Sequence, residues 1–234
     1  MVKIAVAGPG RKYLQPPKVA HEIIDGLLAT GKHEITLLAR KDPTPELEIE
    51  GTTWVKVDYL DRPSLVKALT GVHTVLSFIV AHKDIDNVTQ KALIDASIEA
   101  GVKRIAPSEW ALAKFDNLDW YHNKLVIREY LKEKNKNGKV IEYTLFQPDN
   151  RVSYTAIADF VNIVVKAIAY EGEWPKVGGI NGQTLSLADE IAIARESGSD
   201  VGTGKPYEIE TLDVEDLRAG IIKPRGCRFW PIRP

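Results

Sequence analysis

A chain of 234 residues, 44% of them hydrophobic and 27% charged, has an ordinary globular composition with enough apolar side chains for a sizeable core. Its formal net charge of −1 excludes bulk electrostatic attraction to nucleic acid or to an anionic membrane surface. One cysteine, Cys227, excludes an internal disulfide, the first apolar run is too short for a signal-peptide core, and no run approaches a membrane span. A cytoplasmic enzyme or regulator is expected.

Residues 3–7 (Lys-Ile-Ala-Val-Ala) form the continuous apolar run of a strand covered on both faces, and the run stops at Gly8-Pro9-Gly10. Val19, Ile23, Ile24, Leu27 and Leu28 follow at helical spacing, and Gly31 closes that helix. A second strand over 35–39 ends in Arg40-Lys41. A third strand is expected at 54–57. Asp61 then caps a short helix that has Pro63 in its first turn and Leu65, Val66 and Leu69 on its buried face. A fourth strand lies within 72–80, centred on Val75-Leu76-Ser77-Phe78. The longest helical pattern, 85–100, is followed by Gly101. A fifth strand, 102–106, ends at Pro107-Ser108-Glu109-Trp110. After a helix over 121–134, a sixth strand over 141–146 ends at Gln147-Pro148.

Such alternation predicts an α/β protein of Rossmann type, a doubly wound parallel sheet with helices on both faces. Ligands of these sheets sit outside the carboxyl ends of the strands, which directs attention to 8–14, 39–41, 77–82, 107–110 and 147–150. The last third reads differently. A short strand (151–154), a helix capped by Thr155, a turn-rich link at 178–182, a capping box at Ser186 and Asp189, a strand at 207–211 and a helix from Asp213 suggest a small α+β lobe. The expected division is a cofactor-binding domain over 1–150 and a small substrate-binding lobe over 151–234, interleaved with it.

Gly8, Pro9 and Gly10 stand where a strand hands over to a helix, so backbone amides there can meet a pyrophosphate. The same tripeptide serves many βα turns for geometry alone. Arg40 and Lys41 occupy the strand end where an NAD site usually carries an acid. Arg can fork onto a 2′-phosphate that an acid would repel. One hydrogen bond to a charged group is worth about 1.5–3 kcal/mol, roughly a ten- to hundredfold preference for the phosphorylated cofactor. Lys124, on the helix after the fifth strand, can bond the nicotinamide ribose or carry a proton if its pKa is lowered; a solvated helix lysine is the commoner situation. Tyr121 precedes it by three residues rather than the four of the usual dehydrogenase pair, so it is not assigned as a catalytic acid. The run Gly202-Thr203-Gly204-Lys205 has Pro206 where a phosphate loop needs Ser or Thr, and the five histidines show no metal-ligand spacing. Asn87-Val88-Thr89 matches a glycosylation sequon by chance.

Read together, 2–10, 37–40, Val57-Asp58-Tyr59, Val75-Leu76-Ser77, 102–110, Lys124 with Arg128-Glu129-Tyr130-Leu131, and Phe146-Gln147-Pro148 resemble the NmrA-like / isoflavone reductase-like family of atypical short-chain dehydrogenases. Ser153-Tyr154-Thr155 with Asp159, 171–175 and 178–182 extend the resemblance along the chain. It implies an NADP(H)-binding Rossmann domain with Arg40 near the 2′-phosphate and Ser77, Phe78 and Ile79 near the ribose and nicotinamide. It places Pro107, Ser108 and Glu109 beside the active site, with Gln147 and Pro148 at the cofactor, and it matches Lys124 to the lysine that serves reductase members as general base or cofactor contact. Members reduce small aromatic or related secondary metabolites by hydride transfer, whereas NmrA regulators bind the cofactor as redox sensors. The implied partner is a small molecule, with no direct nucleic-acid or membrane contact, and a homodimer or a protein partner if the chain is a regulator. Two departures stand out: the glycine motif is degenerate, and Asp149 follows Pro148 where the family has glycine.

Overall fold

The computed structural model describes residues 2–9, 19–44, 48–110, 122–148, 153–154, 157–180 and 182–185, with positions 189, 192, 193 and 196. Residues 1–184 form one compact unit and 185–234 a second. The strand expected at 207–211, the helix from Asp213 and the capping Ser186 lie outside the described residues.

In chain order the first unit contains β1 (Val2–Ala7), α1 (Val19–Ala29), β2 (His33–Ala39), β3 (Thr52–Lys56), α2 (Arg62–Leu69) and β4 (Thr74–Ser77). It continues with α3 (Val88–Glu99), β5 (Arg104–Ala106), α4 (His122–Lys134), β6 (Glu142–Tyr143) and β7 (Leu145–Pro148). The last elements are β8 (Ser153–Tyr154), α5 (Ile157–Ala169), β9 (Val177–Ile180) and β10 (Gln183–Thr184). Six strands form a parallel sheet in the order β3-β2-β1-β4-β5-β6. The order reverses between β1 and β4, the switch point at which such sheets open a ligand crevice.

Strand alternation sorts the core onto the two faces. Ala5 and Ala7 join Leu65, Leu69, Leu93, Ile94, Ile127 and Leu131 beneath α2, α3 and α4. Ile4 and Val6 join Ile23, Ile24, Leu27, Val161, Val164 and Ile168 beneath α1 and α5. Gly26 brings those last two helices together: a Cβ there would lie 2.3 Å from Val161 Cγ1. The cap of α2 is the expected one, with Ser64 N–H donating to Asp61 Oδ1 at 3.2 Å.

The sixth strand departs from expectation. It divides at Thr144, so that Glu142 and Tyr143 pair with β5 while 145–148 pair in parallel with β9 in a separate two-stranded sheet. Part of the link expected to be turns is therefore strand. Gly178 serves close packing there, since a Cβ would lie 2.9 Å from Thr144 Cγ2. Arg104, 6% exposed, fastens this addition to the main sheet. Its Nε donates to Glu142 Oε2 at 3.0 Å, its Nη1 and Nη2 donate to the carbonyls of Tyr170 and Gly172 at 2.5 Å each, and its guanidinium lies 5.0 Å from the Trp174 ring centre. Phe160, Val161, Val164, Ile168, Trp174 and Ile180 thus share one core with β1 and α1. Among the described residues no helix is long and apolar enough to cross a membrane.

Candidate functional site

At the switch point the chain of β1 turns through Gly8, whose φ is +72°. A Cβ there would lie 3.2 Å from Ile79 N and from the carbonyl of Phe78, so only glycine lets β1 and β4 end this close together. The Gly8 amide is already engaged with Leu38 O at 3.3 Å, which makes this residue's contribution steric. Pro9 is buried, and His21 on α1 donates from Nε2 to its carbonyl at 2.9 Å. Gly10 lies outside the described residues. Tyr59, 4% exposed, donates from its hydroxyl to Leu38 O at 3.1 Å. Burial pushes its pKa well up, opposed in part by a hydrogen bond with the Gly8 backbone and by the charge of Arg40. Arg40 and Lys41 are exposed, and the Lys41 carbonyl accepts from Trp54 Nε1 at 3.0 Å.

Polar groups at the ends of β4 and β5 are buried instead. Ser77, fully buried, donates from Oγ to Gln90 Oε1 at 2.9 Å, so its hydroxyl is committed to α3. The same Oε1 accepts from Ser108 N at 2.9 Å. Gln90 is in turn fixed by Asp84, whose carboxylate accepts from Thr89 N and Gln90 N at 2.9 Å each. Asn123, at the start of α4, donates to the carbonyls of Ala81 and Asp84 at 2.6 and 3.1 Å. Asn87, the residue of the sequon match, is 2% exposed.

The segment 107–110 turns sharply at the end of β5. Glu109 N donates to Pro107 O at 2.7 Å, and Trp110 has a φ of +29°. The Trp110 ring stacks on Phe78 at 4.5 Å and on Phe146 at 5.4 Å, each within 8° of parallel, and Nε1 donates to Ser77 O at 2.6 Å. Lys124, 6% exposed, donates from Nζ to the carbonyls of Ser108 and Glu109, the latter at 2.6 Å. Burial lowers its pKa from 10.5 to about 8; Glu109 acts against that shift and Arg128 adds to it. The Glu109 carboxylate, 1% exposed, accepts from Arg128 Nη2 at 2.7 Å, from Arg128 Nε at 3.2 Å and from Gln147 Nε2 at 2.8 Å. Gln147 is buried on β7, and Pro148 pairs in register with Ile180 of β9.

The strand ends thus bring Gly8 beside Phe78 and Ile79, and Ser108 beside Lys124 with Gln147 one carboxylate away. Sequence reasoning missed Gln90, Asp84 and His21. A buried glutamine inside a helix carries no motif. Asp84 caps α3 from an unusual distance because Asp86 and Asn87, with φ of +54° and +57°, fold the chain back. Among the described residues no group of three His, Cys, Asp or Glu side chains could hold a metal ion.

The residues fit a dinucleotide. Gly8 lets the ends of β1 and β4 close up at the switch point, exposed cations stand at the end of β2, and a buried amine lies at the ends of β5 and β7. A family model described as NAD(P)H-binding matches residues 18–158. The oxidoreductase aprR of Aspergillus flavus is 28% identical over 151 residues, which cover 62% of this chain and 47% of that protein, so the chain spans about half the length of that relative. An isoflavone reductase structure superposes with a TM-score of 0.65 at 20% identity, covering 83% of this chain and 75% of that one. The leucoanthocyanidin reductase–NADPH complex of Vitis vinifera superposes with a TM-score of 0.64 at 16% identity, covering 83% and 74%. Sheet order, switch-point glycine and family match lead to one conclusion: the chain belongs to the NAD(P)H-binding Rossmann family and has the fold of the isoflavone reductase-like atypical short-chain dehydrogenases.

Proposed function

We propose that this protein is an NADPH-dependent reductase of a small aromatic or related secondary metabolite, with Lys124 as its proton donor. The observation that carries the reading is the placement of Lys124. Its ammonium is buried at the carboxyl ends of the strands, held by two backbone carbonyls, with a pKa of about 8. An amine in that range is charged at neutral pH yet releases its proton far more readily than a solvated lysine, as a general acid requires.

The phosphate end of the cofactor would be held by Gly8, Pro9 and Gly10 and by Arg40 with Lys41, the guanidinium selecting the 2′-phosphate. The ribose and nicotinamide would lie against the backbone of Ser77, Phe78 and Ile79, against Pro107 and Ser108, and near Gln147 and Pro148. Bound NADPH supplies a hydride. Lys124 delivers the matching proton to the substrate atom on which negative charge develops, and the neutral amine regains a proton from water. The two carbonyls on Nζ favour the charged form and aim it. Trp110, stacked between Phe78 and Phe146, keeps water from one wall of the site.

NADPH consumption measured across enones, aromatic ketones and benzylic ethers tests the reading. Turnover of at least one class, lost in Lys124→Met, is expected. Tight NADPH binding with no turnover of any class would overturn it and leave a redox-sensing role.

A further inference from the structure

Two consecutive carbonyls, those of Ser108 and Glu109, converge on one ammonium. Successive carbonyls in extended chain point to opposite sides, so this convergence needs a local bend. The bend is present: a three-residue turn closed by Glu109 N on Pro107 O, followed by a tryptophan at positive φ. A non-glycine residue at positive φ persists only where the surroundings over-determine it. Three ties do so. Ser108 N is held by Gln90, the Trp110 indole is held by Ser77 O and the aromatic stack, and the Glu109 carboxylate is gripped by Arg128 from α4 and by Gln147 from β7. The third is the one made by a charge, in a position 1% exposed, where charge-assisted hydrogen bonds are strongest.

We propose that Glu109 is a positioning residue: clamped by Arg128 and Gln147, its carboxylate fixes the turn whose two carbonyls hold the Lys124 ammonium in place. Among the described residues the charges that act on Lys124 are Glu109, from the turn after β5, and Arg128, one helical turn along α4. The neighbouring α3 and β7 present the neutral amides of Gln90 and Gln147 to the same turn. Glu109 therefore contributes both aim and a negative charge, whereas Arg128 offsets part of that charge and orients its carboxylate. The consequence for catalysis rests on the reductase reading; the positioning itself does not and can be measured without cofactor.

The experiment is nitrogen NMR of the full chain labelled with [15N]lysine, without cofactor, the Lys124 side-chain signal being assigned from its loss in Lys124→Arg. In the wild type a buried, doubly bonded ammonium gives a slowly exchanging signal that titrates near pH 8. Glu109→Gln keeps the side chain's shape and removes its charge, so the titration moves down by about one unit and exchange of the ammonium protons accelerates. The double variant Glu109→Gln, Arg128→Met removes the opposing charges together and avoids an unpaired buried guanidinium, so it stays folded and shifts less than the single variant. An unchanged Lys124 signal and titration in both folded variants would overturn the proposal and leave Glu109 a structural ion pair. Once a substrate is in hand, Glu109→Gln lowers kcat at least tenfold with KM values within about threefold. A moved titration in a protein that turns over nothing supports the positioning and contradicts the reductase reading alone.

Discussion

Arg40 and Lys41, at the end of β2, are exposed; Lys124, Glu109 and Gln147, gathered past the end of β5, are 6, 1 and 4% exposed. Under the proposed reading the first region would meet the cofactor with charges on flexible stems. The second is assembled in advance, every tie running between different elements: Ser77 to α3, Ser108 to α3, Glu109 to α4 and β7. The difference matches two tasks. Capturing a polyanion needs only cations that can reach it, and water screens them cheaply. Holding one amine at a chosen protonation state needs a dry site, where each unpaired group is costly, and Lys124, Glu109 and Gln147 all have partners there.

Removing the amine is the most severe test of that contrast. Lys124→Met should lower turnover by about a hundredfold or more, the usual worth of a positioned general acid, while NADPH affinity by fluorescence titration changes severalfold at most. Equal losses in both would mean that the two regions do not divide the labour. At the exposed end, Arg40→Ala should weaken NADPH binding roughly ten- to hundredfold and leave NADH binding unchanged. Added salt should erode wild-type NADPH affinity for the same reason. An equal loss for NADH would remove the 2′-phosphate from the account.

A packing change on the face away from Lys124 separates loss of stability from change at the amine. Gly26→Ala would press a methyl against Val161 on α5, a β-branched side chain with little freedom to turn aside. It should cost about 1–3 kcal/mol in denaturant unfolding and leave the Lys124 titration where it is, since α4 packs on the opposite face. A linkage effect of similar size comes from Lys124 itself. The folded-state pKa of Lys124, about 8, lies below its ordinary 10.5. Between those values the unfolded chain holds more protons than the folded one, so this group makes stability rise with pH across that window. Below about pH 8 it opposes folding in full. Lys124→Met should flatten the rise, as read from denaturant midpoints at pH 8 and pH 10 against the wild type.

Much of this was legible in the residues. Apolar runs separated by amphipathic helices predicted the parallel sheet, and Asp61 with Pro63 marked a helix start that the structure reproduces. Lys124 and the segment 107–109 could be singled out, but not the ties between them, because Arg128 and Gln147 reach the Glu109 carboxylate from two different elements. Arg104 looked like one more strand residue, although it bolts the α5–β9 segment to the sheet. The split at Thr144 was invisible for a related reason. A strand's partners are chosen by tertiary contact, and 141–146 reads as one strand whichever sheet receives it. Gly178 and Gly179 signalled a turn, whereas packing uses Gly178 to admit a neighbouring strand.

The pH dependence of NADPH oxidation between pH 7 and pH 10, in wild type and Lys124→Met with one accepted substrate, decides whether Lys124 donates the proton. With the Lys124 ammonium as proton donor, the wild-type rate should be level below about pH 8 and fall about tenfold per unit above it, and the variant should be slow and flat. A wild-type rate that stays level to pH 10, or a variant that keeps the wild-type profile, would contradict that role.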